Sequence, residues 1–163
     1  MYGTAPAAGN MMAWAWGASR MIDVIQKSGG DIIDYQRLAV TGCSREGKDA
    51  FAVGLFDERI ALTLPQETSL GGIVAYRIAD AKCAEKTQSN YNDQIWLSNN
   101  FQKFVNNTSL LPLDAHELFA TFAPRGLYGT STTHPQLPWR NKCARREANG
   151  SPCRLDGLDN PGA

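Results

Sequence analysis

The stretch RLAVTGCSREGKDAF, residues 37–51, constrains the fold of this chain more than any other. Residues 37–41 form a short apolar run rich in β-favouring side chains, and residues 46–55 are compatible with a helix packing through Phe51, Val53, Gly54 and Leu55. Only Gly42, Cys43, Ser44 and Arg45 separate them. A strand that gives way to a helix over so short a junction must turn sharply, and small residues such as Gly42 and Gly47 let the two elements approach. Such a turn strains the backbone of Ser44 and holds its hydroxyl outward. A serine presented in this way needs a base, and the chain contains two histidines, His116 and His134.

The flanking pattern extends this unit. Over residues 7–27 the apolar positions Met11, Trp14, Ala15, Ala18, Met21, Ile22 and Ile25 recur at steps of three and four, which predicts a helix with a wide buried stripe, stopped by Gly29 and Gly30. RIALTLPQE gives a second strand over residues 60–64, closed by Pro65, which cannot donate to a ladder. Helix, strand, helix, strand in this order predicts an α/β fold with a parallel sheet covered on both faces. Gly71 and Gly72 open a predicted helix through residue 80, residues 81–95 are polar and loop-like, and residues 96–105 carry Trp96, Phe101 and Phe104. LDAHELFATFAPRGLYG then reads as a helix followed by a third strand near residues 126–128. Beyond it lie four of the eight prolines and no apolar periodicity, so burial there is too small to offset the entropy of ordering. The expected division is a folded unit over residues 1–128 and a disordered or irregular tail over residues 129–163.

At 163 residues, 43% hydrophobic and 20% charged, the chain fits one domain with a single core. The 16 Lys and Arg balance the 16 Asp and Glu, so no net field points to a nucleic acid or an anionic membrane as partner; a neutral, compact target fits better. No apolar run is long enough to span a membrane, and the start MYGTAPAAGNMMAWAWG lacks the basic region and apolar core of a signal peptide. Cys43, Cys83, Cys143 and Cys153 form no C-x-x-C pair and have no histidine at ligand spacing, which argues against a metal site and leaves two disulfides or four thiols. Sequons at Asn106, Asn107 and Asn149 suit a secreted parent.

Strand, Gly-x-Ser and helix in succession is how an α/β-hydrolase presents its nucleophile. Here Glu46 takes the place of the second glycine of G-x-S-x-G and Gly47 arrives one residue later, so spacing alone leaves Ser44 either a nucleophile or the cap of the following helix. The longer strings say more. VTGCSREGK followed by RIALTLPQE resembles the glucuronoyl esterases, carbohydrate esterase family 15; AWAWGASRMID upstream, with WLSNNF and HELFATFAPRGL downstream, fits the same family in the same order. The resemblance runs from about residue 2 to residue 128. It implies a partial α/β-hydrolase fold: the central part of a parallel sheet with flanking helices, the first and last strands missing.

Members of that family hydrolyse the ester between 4-O-methyl-D-glucuronic acid of glucuronoxylan and lignin alcohols, through a Ser-His-Glu triad and without a cofactor. Carried over, the resemblance makes Ser44 the nucleophile and Glu67, in PQE, the acid that orients the histidine. Glu67 also lies just past the carboxyl end of the strand after the nucleophile, where parallel-sheet sites assemble, although a carboxylate solvated after a proline turn has the same spacing. The resemblance further implies that Arg45 stabilises the oxyanion, the plain alternative being a surface salt bridge. Lys48 matches a position that binds the uronic acid, against the alternative of a solvated helix lysine. Asp93, in YNDQIW, stands one methylene shorter where the family has a glutamate on sugar hydroxyls, and Gln88 is aligned with a sugar-binding glutamine. The implied enzyme is a monomer acting outside the cell, with no nucleic acid or membrane partner.

The same resemblance exposes a gap. In the family the catalytic histidine follows the last strand in a glycine-histidine stretch, whose next cysteine is bridged to the cysteine before the nucleophile; nothing in this chain matches that stretch. His116, in LDAHELFA, matches a structural histidine. His134, in TTHPQLPW, lies only a few residues past the third strand, with no room for the helix and strand that precede a triad histidine. Trp139 lacks the context of the family's tryptophan loop. The change of composition after APRGLYG suggests a frame shift, an unspliced junction or a truncated reading, and the family's first strands and oxyanion loop are expected ahead of Met1. The expectation is an esterase impaired by loss of its base. The alternatives are a non-catalytic carbohydrate-binding remnant using Lys48, Asp93 and nearby aromatics, or an α/β-hydrolase for small acyl esters.

Overall fold

The computed structural model describes residues 8–29, 32–81, 87 and 96–130. The first apolar periodicity becomes α1 (Asn10–Lys27), after which Gly29 takes a left-handed φ of 87°. Its buried stripe is narrower than the sequence predicts: Ala15 and Ile22 are buried and Met11 and Ala18 partly so, whereas Met21 is 64% exposed. Met21 is one residue from Ile22 and so about 100° round the helix, on a side that no described element covers. Trp14 packs on Trp96, with ring centroids 5.0 Å apart.

Strand β1 (Leu38–Cys43) passes through α2 (Arg45–Phe56) to β2 (Ile60–Gln66), and the two strands pair in parallel with Val40 opposite Thr63 and Cys43 opposite Gln66. Strand β3 (Gly126–Leu127) adds in parallel to the other side of β2, giving the order β1-β2-β3. Pairing continues past Tyr128, since Thr130 bridges to Gln66. One core joins α1, α2 and the sheet through Ala15, Ile22, Ala52, Val53 and Ile60, with Leu38 and Val40 against it. A second gathers Leu70, Tyr76 and Leu111 with Phe101 and Phe104.

Three expectations need correction. Among the described residues the sheet is covered on one face only: burial alternates along β1, and Ala39, Thr41, Leu62 and Gln66 are exposed on the other face. Element order fixes a parallel sheet but not the face on which successive helices lie, and α1 and α2 share one core. The helix expected from Gly71 begins later, as α3 (Tyr76–Ala81). Gly71, at φ 86°, belongs to a turn, and the start of α3 is set by the Asp114 carboxylate, which accepts the amides of Tyr76 at 2.7 Å and Arg77 at 3.0 Å. The helix read in LDAHELFATF is a 3₁₀ helix, Ala115–Phe122, whose capping box joins Asp114 and Glu117. Two shorter 3₁₀ helices, Asn99–Phe104 and Thr108–Leu110, precede it. No described helix is long and apolar enough to cross a membrane.

Candidate active site

Ser44 sits between β1 and α2 with φ 60° and ψ −117°, a conformation that costs a non-glycine residue on the order of 1–3 kcal/mol and persists only where its surroundings over-determine it. The surroundings do so here. Its amide donates to the Gln66 carbonyl at 2.9 Å, and its carbonyl accepts the Lys48 amide at 3.0 Å as α2 begins. A Cβ on Gly42 would lie 2.2 Å from the Glu46 carbonyl oxygen, and one on Gly47 would lie 2.3 Å from that of Gln66. The glycine displaced by one position therefore still performs the close approach of helix to strand. Ser44 stands at the helix cap position, yet its side chain makes no capping hydrogen bond and the residue is exposed.

The strand register carries the second half of the site. Cys43 stands opposite Gln66 as the last pair of the ladder, and the Ser44 amide bonds the Gln66 carbonyl, so Ser44 and Glu67 are the residues that follow directly on the two strands. Glu67 is half-buried, has a left-handed φ of 49°, and donates its amide to the Thr130 carbonyl at 3.0 Å. Nucleophile and acid candidates thus share the carboxyl rim of the sheet.

Lys48 lies one helical turn beyond Ser44 and is only 5% exposed; its ammonium donates to the carbonyls of Thr68 and Leu70, just past Glu67. It is not a solvated helix lysine. Arg45 points outward and pairs with Glu46 at 3.3 Å, each side chain 66% exposed, a pairing of the surface kind that contributes about 0–1 kcal/mol. Cys43, ahead of the serine, is exposed and has no disulfide partner among the described residues. His116 is exposed on the 3₁₀ helix 115–122, which stacks Phe122 on Phe51, two turns along α2 from Ser44. Gln88, Asp93, His134 and Trp139 lie outside the described residues.

Side-chain reasoning missed the backbone of this site. The carbonyls of Gln66, Thr68 and Leu70 fasten the elbow and the following turn, and backbone groups carry no signature in the sequence; the displaced Gly47 is the one indirect signal. A cavity of about 390 Å³ opens elsewhere, between α1, the far half of α2 and the aromatic segment around Trp96 and Phe104, and Ser44, Glu67 and Lys48 do not line it.

Comparison with known proteins identifies the family. The model of the fungal glucuronyl esterase family matches residues 1–149, beyond the limit at residue 128 drawn from the motifs. The 4-O-methyl-glucuronoyl methylesterase 1 of Phanerochaete chrysosporium is 43% identical over 138 residues, covering 82% of this chain and 29% of the relative. The Hypocrea jecorina 4-O-methyl-glucuronoyl methylesterase is 44% identical over 133 residues, 78% of this chain and 29% of the relative. This chain therefore spans about a third of the length of the curated relatives it matches. The glucuronoyl esterase catalytic domain from Hypocrea jecorina superposes with a TM-score of 0.75 at 42% identity, over 79% of this chain and 37% of that one. A glucuronoyl esterase mutant from Sporotrichum thermophile, in complex with methyl 4-O-methyl-β-D-glucopyranuronate, gives a TM-score of 0.70 at 35% identity, over 91% and 42%. By the family-model match, these identities and these superpositions, the chain belongs to the fungal glucuronoyl esterase family, within carbohydrate esterase family 15 and the α/β-hydrolase fold.

Proposed function

We propose that this chain carries the nucleophile and the acid of a glucuronoyl esterase, and that its turnover is impaired for want of the triad histidine. The observation that supports the reading is the strained, exposed Ser44 at the mouth of β1, bonded through its amide to the residue that precedes Glu67. Attack by Ser44 Oγ on the uronoyl carbonyl carbon forms the acyl bond and leaves negative charge on the carbonyl oxygen. The serine proton must pass to a base, which returns it to the leaving alcohol as the ester C–O bond breaks. Arg45 is the first residue of α2, so its amide lies at a helix N-terminus and its guanidinium extends from the same point; each oxyanion donor is worth about 3 kcal/mol. Glu67 would accept the imidazole N–H and fix its orientation.

The proposed substrate is the ester joining 4-O-methyl-D-glucuronic acid of glucuronoxylan to lignin alcohols, with Lys48, Asp93 and Gln88 assigned to the sugar. The relative bound to methyl 4-O-methyl-β-D-glucopyranuronate supports that choice. Exposed sequons at Asn106 and Asn107 support an extracellular setting, and we assign a monomer. Removing a triad member from a serine hydrolase costs about 10⁴ to 10⁶ in rate.

Hydrolysis of benzyl glucuronate tests both parts. The chain alone is expected to match Ser44→Ala. Free imidazole, supplying the missing base, is expected to restore hydrolysis in the chain and not in Ser44→Ala. Equal rates for the two at every imidazole concentration would overturn the assignment of Ser44, and vigorous Ser44-dependent hydrolysis without imidazole would overturn the impairment.

A further inference from the structure

We propose that Lys48 is a positioning residue that locks the turn carrying Glu67 to the helix carrying Ser44. This rests on the reading of Ser44 and Glu67 as nucleophile and acid, and adds to it a role for the lysine distinct from contact with sugar. Lys48 touches both halves of the site. Its backbone N–H donates to the Ser44 carbonyl at 3.0 Å, and its ammonium donates to the carbonyls of Thr68 and Leu70.

The turn it holds is one that needs holding. Glu67, Ser69 and Gly71 take φ values of 49°, 51° and 86°, so left-handed conformations alternate along five residues, two of them not glycine. Backbone of this kind stays in place only when its polar groups are tied down. Thr68 and Leu70 are 2% and 0% exposed, so water is a poor substitute partner for their carbonyls. A single ammonium answers both at once, and hydrogen bonds to a charged donor are roughly twice as strong as neutral ones. From inside the turn the Thr68 hydroxyl accepts the Ile73 amide at 3.0 Å, and beyond the turn Asp114 anchors Tyr76 and Arg77. Lys48 is the tie in this set that reaches back to α2. Without it the turn beyond Glu67 loses its tie to α2, although strand pairing up to Gln66 and the bond from the Glu67 amide to Thr130 are intact.

The test begins on the unaltered chain. Scalar couplings across hydrogen bonds from the Lys48 Nζ to the carbonyl carbons of Thr68 and Leu70, measured by NMR, are expected; their absence overturns the proposal. In Lys48→Met, amide exchange within residues 68–73 is expected to accelerate about tenfold or more, while the β1–β2 ladder changes by less than about twofold. Lys48→Arg, which keeps a cationic donor, is expected to recover part of that protection. In hydrolysis supported by imidazole, Lys48→Met is expected to lower kcat in addition to any rise in KM that the lost sugar contact brings. A uniform rise in exchange across loop and ladder overturns the proposal in favour of general stability. A raised KM with kcat and loop exchange unchanged overturns it in favour of sugar contact alone. Couplings and exchange do not require turnover, so failure of the esterase reading would leave them to decide the matter separately.

Discussion

The amide of Ser44 donates to the carbonyl of Gln66 at 2.9 Å, across the point where β1 ends and β2 is about to end. This one bond fixes the serine against the strand whose next residue is Glu67. It forms because the chain has no Cβ at Gly47, where any side chain would collide with the same carbonyl.

Gly47→Ala should therefore force the start of α2 away from β2. The expected loss is about 1–3 kcal/mol, as for other overpacked sites, read from urea unfolding. Gly17→Ala is the contrasting case: no described atom lies within 4 Å of its added Cβ, and alanine in the interior of α1 should stabilise the chain by about 1 kcal/mol.

Asp57 ties the end of α2 to α1. Arg59 donates to its carboxylate at 2.6 and 2.8 Å and Ser19 at 2.7 Å, which holds the carboxyl well below the ordinary range. A depressed folded pKa means that this stabilisation is complete above the unfolded value near 4 and is lost as pH falls below it. Asp57→Asn should lower stability at neutral pH by about 1.5–3 kcal/mol and flatten the acid side of the stability profile, a change visible in thermal melts from pH 7 to pH 2.

The carboxylate of Asp114, 1% exposed, accepts the amides of Tyr76, Arg77 and Ala115 and so starts two helices. Burial pushes its pKa up, but those three donors outweigh the effect and hold it below the ordinary value. Asp114→Ala leaves buried amides without a partner and should cost about 2–4 kcal/mol, with α3 and the 3₁₀ helix 115–122 losing exchange protection ahead of the sheet.

Thr63, 1% exposed in the central strand, buries a hydroxyl that finds no partner among the described residues. Thr63→Val keeps the shape and removes the desolvated oxygen. The melting temperature should rise, by an amount matching about 1 kcal/mol; a fall of that size would mean that the hydroxyl is satisfied in solution.

Local chemistry was legible in the sequence wherever one residue type permits one backbone behaviour. Pro65 closed the β2 run, Gly29 ended α1, and the run from Val40 to Gly47 could only be a strand turning sharply into a helix around an exposed serine. Periodicity also gave α1 and its Ala15 and Ile22 contacts, because a helix repeats every 3.6 residues whatever it packs against. Gly71 and Gly72 misled, since the start of α3 depends on a carboxylate 38 residues away.

What the tertiary structure alone decided is who stands beside whom. The register that makes Ser44 and Glu67 follow directly on paired strand ends is a sum of ladder bonds and packing over both strands, which no single residue encodes. The same holds for the sheet face that α1 and α2 cover, and for Met21, whose exposure depends on the absence of a described neighbour rather than on its own hydrophobicity. Lys48 is the sharpest instance. A lysine on a helix is solvated or buried according to where its stem leads, and here it leads to two carbonyls, groups that every residue possesses and that acquire meaning only from position.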